Sequence, residues 1–397
     1  MNENLLNFAC CGEYSPNYDP YVATSDILTQ KILIEINKKP MTVTDLANSL
    51  SKSTDDIEGK LLLLKDLKLI KVTNSNNISY YQPDFPIITI EDYQKMEDNL
   101  LKLSELLFET TKDVLPLLEQ EIKDLIFYEK NKDIENLLYV LICGSTFDYG
   151  GLTFLKSEEL LTITKDMNQG KYVFTGFDAR IKDLTTNWMW GHSSTFGKFF
   201  YSSHGKIPKN TGRKSFPDLA WSWNFSIGEE IDGVIVKKKM IQLGDILLAI
   251  ANGKNTILKI NKELYRSKFE IIYDLTLLEQ LDYVYYTLED NRRNYHLKIP
   301  ILLPEDQKIL KKLSSIIFSS FKENGLINYY KELAEDYKQT SACKNNIPFK
   351  ETFNMLYHTI FEKAIDKLLQ SGTIPTPIKR RDGAEYAPWI EITYPGN

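Results

Sequence analysis

The chain has 397 residues, 43% of them hydrophobic, enough for two or three domains with cores of their own. Acidic residues outnumber basic ones, 54 to 48, and the net charge of −6 excludes a generally basic coat for nucleic acid, so any DNA contact has to come from local patches. Without a run of about 18 apolar residues or a basic-then-apolar start, and with Cys10, Cys11, Cys143 and Cys343 forming no CxxC pair, the chain is expected to be cytoplasmic, with no membrane span, disulfide framework or zinc site.

Residues 1–23 lack periodicity and are expected to be an N-terminal arm that packs on something else. Thr24, Ser25 and Asp26 then offer caps for a helix running to Ile36, which Pro40 ends. Thr42 caps a second helix with Leu46 and Leu50 facing inward. Ser51 to Thr54 turn the chain into a third, carrying Ile57, Leu61, Leu64 and Leu67 at helical spacing. The period then becomes extended over residues 69–73 and 78–82, on either side of the polar turn Asn74-Ser75-Asn76-Asn77.

This order returns later in the chain. Sliding residues 32–92 forward by 214 positions gives 18 identities in 61 positions without a gap, from Ile32 on Ile246 to Asp92 on Asp306. The second copy places its helices at 246–250, 257–264 and 267–281, and its extended pair at 283–287 and 295–298 around Glu289 to Arg293. A long amphipathic helix follows each copy, with Leu103 to Phe108 matching Leu313 to Phe318 at a register of 210. A fainter echo at an offset of 167 sets His204-Gly205-Lys206-Ile207-Pro208 against Ser371-Gly372-Thr373-Ile374-Pro375 and, with one residue inserted, Trp221 against Trp389. It predicts a helix over 194–203 and a first-copy insert at about 150–190 with no counterpart in the second half.

Three helices followed by a hairpin resembles the bacterial winged helix-turn-helix regulators of the ArsR/MarR kind, over about 70 residues of each copy. The expected fold is mainly α with small β wings: tandem winged helix-turn-helix repeats, each followed by a helical segment, in a pseudo-twofold duplication. The expected division is an arm (1–23), a first winged helix (24–90), a helical segment (91–149), an insert with extended segments (150–190) and a helix with the Gly-x-Ile-Pro/Trp pattern (191–230). A second winged helix (240–302) and a second helical segment with its own Gly-x-Ile-Pro/Trp tail (303–397) complete it.

The resemblance implies that the third helices enter the major groove of double-stranded DNA and that the wings touch phosphate. Lys52, Ser53, Thr54 and Lys60 of the first copy and Arg266, Ser267 and Lys268 of the second have suitable chemistry, as do the wing residues Asn76, Asn77, Arg292 and Arg293. Asp55, Asp56 and Glu58, or Glu270 and Asp274, oppose these cations, and phosphates penalise such carboxylates. The alternative is a protein- or peptide-binding scaffold whose winged helices never touch DNA.

Four of the five tryptophans fall within residues 188–223. Trp188, Trp190, His192, Phe196, Phe200, Trp221 and Trp223 are candidates for a small apolar effector or a peptide, or are plain core. No HxxxH, CxC, GxSxG, HExxH or phosphate-cradling glycine loop occurs, so no metal, cofactor or catalytic residue is expected. The basic segments at Lys206 to Lys214, Lys237-Lys238-Lys239 and Lys379-Arg380-Arg381 either grip phosphate or neutralise helix ends. A further homodimer is left open.

Overall fold

The computed structural model describes residues 5–15, 18–131, 137–181, 189–206, 233–377 and 385–393. In chain order they form β1 (Leu6–Tyr14), α1 (Pro20–Thr24), α2 (Ile27–Lys38), α3 (Val43–Leu50), α4 (Thr54–Asp66), β2 (Ile70–Ser75), β3 (Ile78–Pro83) and β4 (Ile87–Ile88). Then come α5 (Ile90–Ile122), α6 (Ile126–Asn131), α7 (Tyr139–Gly150), α8 (Gly151–Ser157), β5 (Lys165–Met167), β6 (Gly170–Asp178), β7 (Met189–Phe196) and β8 (Phe199–Lys206). The rest comprises α9 (Gly233–Ala251), α10 (Ile257–Leu264), α11 (Lys268–Gln280), β9 (Val284–Glu289), β10 (Arg292–Leu297), β11 (Ile301–Leu302), α12 (Gln307–Phe321), α13 (Ile327–Tyr337), α14 (Ser341–Lys344), α15 (Phe349–Gln370) and β12 (Glu385–Ile392). The protein is mainly helical with four small sheets among the described residues. No helix among them is long and apolar enough to cross a membrane.

Local chemistry places the helix starts. Asp26 caps α2 by accepting from the Thr29 N–H, and Thr42 and Asp45 form a capping box on α3. Ser53 caps α4, Thr256 caps α10, and Ser267 with Glu270 forms a second capping box on α11. Both hairpins turn on two residues with positive φ, Asn76-Asn77 and Asp290-Asn291, as the right-handed twist of their strands requires. The extended pair after α11 is therefore longer than expected, and Arg292 and Arg293 lie in its second strand.

The chain forms two compact units, each drawn from both halves of the sequence. The first comprises Met1–Thr111, Gly151–Asn187 and Phe318–Lys367; the second comprises Lys112–Gly150, Trp188–Ile317 and Leu368–Asn397. In the first unit Ile32, Leu33, Leu46, Ile57, Leu61 and Leu64 pack with Phe85, Tyr172 and Phe174 in one core. In the second, Ile246, Leu247, Ile260, Ile271, Leu275 and Leu278 pack with Phe199, Tyr201, Tyr295 and Ile390. Pro116 interrupts α5 four residues after Lys112, whose carbonyl thereby lacks its helical donor.

The sheets correct two expectations. In the first unit β6 runs antiparallel to β1 and parallel to β4; in the second β12 runs antiparallel to β8 and parallel to β11. Ile87 lies opposite Gly176 and Ile301 opposite Ile390, so each member of the first pair lies 214 positions before its counterpart in the second. The segment 150–190 is thus no insert without counterpart, because its strand β6 stands in its sheet as β12 does in the other. Phe8 faces Gly176 as Tyr201 faces Ile390, which sets β8 against β1. Phe8 precedes Ile32 by 24 residues, whereas Tyr201 precedes Ile246 by 45, so the longer connection belongs to the second half.

Residues 194–203, expected to be helical, form the β7–β8 hairpin instead. The two glycines of the fainter echo do different work. Gly205 has φ 153° within β8, where a Cβ would lie 2.4 Å from the Glu385 carbonyl, while Gly372 has φ 68° and closes the end of α15. The match between them is one of residue type only. Residues 1–23 likewise do more than pack as an arm, since Leu6 to Tyr14 pair along the whole of β6.

Candidate nucleic-acid interface

In the second unit α10 ends at Tyr265, whose backbone is left-handed at φ 51°, and α11 begins at Ser267. The Ser267 hydroxyl accepts from the Glu270 N–H at 3.2 Å, and the Glu270 carboxylate accepts from the Ser267 hydroxyl at 2.8 Å and its N–H at 3.1 Å. These hydrogen bonds, helped by Arg266 and Lys238, hold the Glu270 carboxyl below the usual range. The start of α11 is therefore fixed, and Ser267 and Glu270 are occupied with one another.

Inward, α11 presents Ile271, Asp274, Leu275 and Leu278. Asp274 is fully buried, and it accepts from Lys239 through one oxygen and from Arg266 Nη2 at 2.6 Å through the other. Arg266, a candidate groove reader, is thus committed to an internal charge pair, and its Nη1 donates to the Gln242 carbonyl at 3.4 Å. A buried carboxylate needs a cation more than an exposed helix end does. The candidate Lys268 is exposed, as are Lys259 and Lys262 on α10.

Outward, the same helix carries Phe269, Ile272 and Tyr273 at 82%, 45% and 57% exposure, and the preceding Tyr265 reaches 94%. Spacings of three and four residues put Phe269, Ile272 and Tyr273 on one face of the helix, and Tyr265 stands in the turn before it. Sequence reasoning missed this stripe. Its mark was available: the apolar residues of α11 are too many for one inward face. Lys239 Nζ lies 4.9 Å from the Tyr273 ring centre. On the hairpin both Arg292 and Arg293 are exposed, with the Arg293 guanidinium stacked 4.2 Å over Tyr286.

The first unit has the opposite sign at the corresponding place. Ser53 is engaged with Asp56, its hydroxyl 2.7 Å from the carboxylate. Lys60 pairs with Asp26 at 3.0 Å. Asp55, Asp56 and Glu58 are exposed on the first two turns of α4, with Lys52 and Thr54 exposed beside them. Asn76 and Asn77 form the neutral hairpin tip. The two sets of candidates differ in charge although their scaffolds match.

Of the aromatic candidates, Phe196 and Phe200 are the two whose side chains are described, and they lie on different faces. Trp188, Trp221 and Trp223 lie outside the described residues; Trp190 and His192 sit in β7 opposite Gly205 and Ser203. Phe196 packs toward Tyr201 at 6.1 Å, whereas Phe200 turns to the other face and meets Tyr149 edge-on at 5.4 Å. Alternation along the hairpin separates them. That other face carries a buried polar layer against α7: Tyr139 Oη lies 3.0 Å from His204 Nδ1, and Tyr149 Oη 3.0 Å from Ser202 Oγ.

A separate cleft of about 340 Å³ opens beside the second hairpin, lined by Phe127, Ile250, Asn255, His296, Leu297 and Leu303 among others. Among the described residues no three His, Cys, Asp or Glu side chains converge as metal ligands. Comparison with family models, with curated proteins and with solved structures finds no match.

Proposed function

We propose that this chain is a duplicated winged helix-turn-helix protein of the bacterial regulator type, which binds double-stranded DNA through its second copy alone. Each copy has three helices followed by a hairpin and a short parallel strand, in one register of 214, which supports the duplication. The observation that carries DNA binding is the exposed set Lys259, Lys262, Lys268, Arg292 and Arg293, spread over the second and third helices and the hairpin of one copy. Exposed Glu263, Glu270, Glu289 and Asp290 lie among these cations, Glu263 paired with Lys254, so the cations outnumber the carboxylates only slightly, whereas the carboxylates prevail on the third helix of the first copy.

The exposed Asp55, Asp56 and Glu58 repel phosphate, so the first copy is assigned to packing or to a protein partner. This reading gives one half-site per chain, makes transcription regulation in the cytoplasm the role, and assigns no reaction. A second reading, a protein-binding scaffold, is favoured by the exposed aromatic face of α11.

Fluorescence anisotropy of labelled 30-base-pair duplexes, titrated with the full chain at several salt concentrations, decides between them. The DNA reading expects affinity to fall steeply with salt. Arg292→Ala with Arg293→Ala should flatten the logarithmic slope by about 2, roughly one for each phosphate that is no longer neutralised. Charge removal at Lys52 should leave it unchanged. Absence of salt-dependent binding to any duplex would favour the scaffold.

A further inference from the structure

We infer that the third helix of the second copy selects its DNA by thymine methyl groups, through Phe269 and Tyr273 with Tyr265 and Ile272 beside them. This rests on the DNA-binding reading above and names what that site recognises.

The argument is one of remaining chemistry. A helix reads base edges through side-chain donors and acceptors or through apolar contact. Over the first turns of α11 the donors and acceptors are largely taken: Arg266 is turned inward to Asp274, and Ser267 and Glu270 satisfy one another. Lys268 is left as a single exposed cation. What the helix presents in quantity is apolar surface, with Phe269, Ile272 and Tyr273 exposed along it and Tyr265 exposed in the turn before it. The thymine C5 methyl is the apolar group on the major-groove edges.

Geometry and charge favour this occupant. Four residues advance about 6 Å along a helix, close to two base-pair steps. Phe269 and Tyr273 therefore suit thymines two base pairs apart. The exposed cations of α10, α11 and the hairpin supply the complement to a phosphate backbone, which an apolar protein partner would not need. The capping box fixes the start of α11, and Lys239 lies over the Tyr273 ring, so the stripe is preorganised.

The test uses the full chain and 30-base-pair duplexes selected on it from a random-sequence pool, each compared with the same duplex carrying deoxyuridine for thymidine. That change removes the methyl and leaves the base pairing intact. Each contacted methyl should account for about a fourfold difference in affinity. Phe269→Ala, at an exposed position, should lower the thymine preference by about fourfold, and Phe269→Ala with Tyr273→Ala should abolish it, both with the salt slope retained. Arg292→Ala with Arg293→Ala should do the reverse. Equal affinity for both duplexes overturns the inference while leaving DNA binding intact. Failure to bind any duplex overturns both and leaves the stripe as a face for protein.

Discussion

Asp92 and Asp306, 214 positions apart, make the same connection in reverse: each caps a short helix taken from the other half of the chain. In the first unit both Asp92 oxygens accept from the Ser341 N–H at 3.2 Å, at the start of α14, and the Ser341 hydroxyl donates to the same carboxylate. In the second unit Asp306 accepts from the Ile126 N–H at 2.9 Å, at the start of α6, and from its own Leu303 N–H at 2.8 Å. Both carboxylates are buried, and burial pushes the Asp306 carboxyl up even against these hydrogen bonds. Asp306→Ala removes the acceptor for two backbone donors, and we expect a loss of about 1–3 kcal/mol from leaving them unpaired. Asp92→Ala should cost a similar amount in the first unit. Urea unfolding of each variant, with Asp45→Ala as an exposed-cap control of smaller cost, checks the expectation.

These exchanged segments mark the limit of what could be read in the amino-acid sequence. The helices of both copies were legible because Asp26, Thr42, Ser53, Thr256 and Ser267 are caps chosen by side-chain chemistry, and each local pattern is complete within a few residues. The repeat was legible because matched residues such as Ile32 and Ile246, or Leu64 and Leu278, are buried in both copies and resist change. The pairing of β1 with β6 joins residues more than 150 positions apart, and nothing local announces it. Residues 194–203 read as a helix through the fainter echo at an offset of 167, and only the sheet context selects the strand. Arg266 was misjudged for a nearer reason. Asp274 stands on the inward row between Ile271 and Leu278, and a carboxylate there demands a cation from within reach.

The Asp274 site yields the largest expected loss. Its two oxygens hold Lys239 and Arg266, both with side chains largely out of water. Replacing Asp274 with alanine leaves two cations facing each other in a desolvated place, which should cost about 3–5 kcal/mol. Arg266→Ala should also destabilise, yet leave the salt slope of DNA binding unchanged, because this guanidinium is committed to Asp274. Thermal melts and the anisotropy titration, run on the same protein, separate the two effects. A reduced slope for Arg266→Ala would return that residue to the interface.

Asp148 makes stability depend on pH. It is buried at the end of α7, and burial pushes its carboxyl up to about 7 from an ordinary value near 3.8. The folded state then binds this proton more tightly than the unfolded chain. Its stabilising contribution is complete below pH 3.8 and is lost as pH rises through about 7. Relative to Asp148→Asn, which cannot titrate, the native protein should gain stability on acidification from pH 7 to pH 4, with a slope approaching about 1.4 kcal/mol per pH unit. Unfolding of both proteins at pH 5 and pH 7.5 measures the difference. A pH-independent gap between them would place the Asp148 carboxylate in a compensated charge pair.

Gly144 and Trp389 show how tightly α7 packs on its sheet. A Cβ at Gly144 would lie 2.7 Å from Trp389 Cη2 and 2.9 Å from Cζ3, closer than two carbons can approach. The indole cannot easily yield, since Trp389 is buried and its Nε1 donates to Glu391 Oε1 at 3.0 Å, while that carboxylate accepts from Gln307 Nε2 at 2.8 Å. Gly144→Ala should therefore cost about 1–3 kcal/mol by overpacking. Trp389→Phe removes the ring atoms that the new methyl would strike, together with the Nε1 donor, and should destabilise for the opposite reason, a void. Combined, the methyl occupies part of the space that the indole vacates. The double variant should then be more stable than the sum of the two losses by about 1 kcal/mol or more, a coupling that urea unfolding of the four proteins resolves. Strict additivity would mean that α7 shifts away from the sheet to relieve the clash, and that its packing against Trp389 is not what fixes its position.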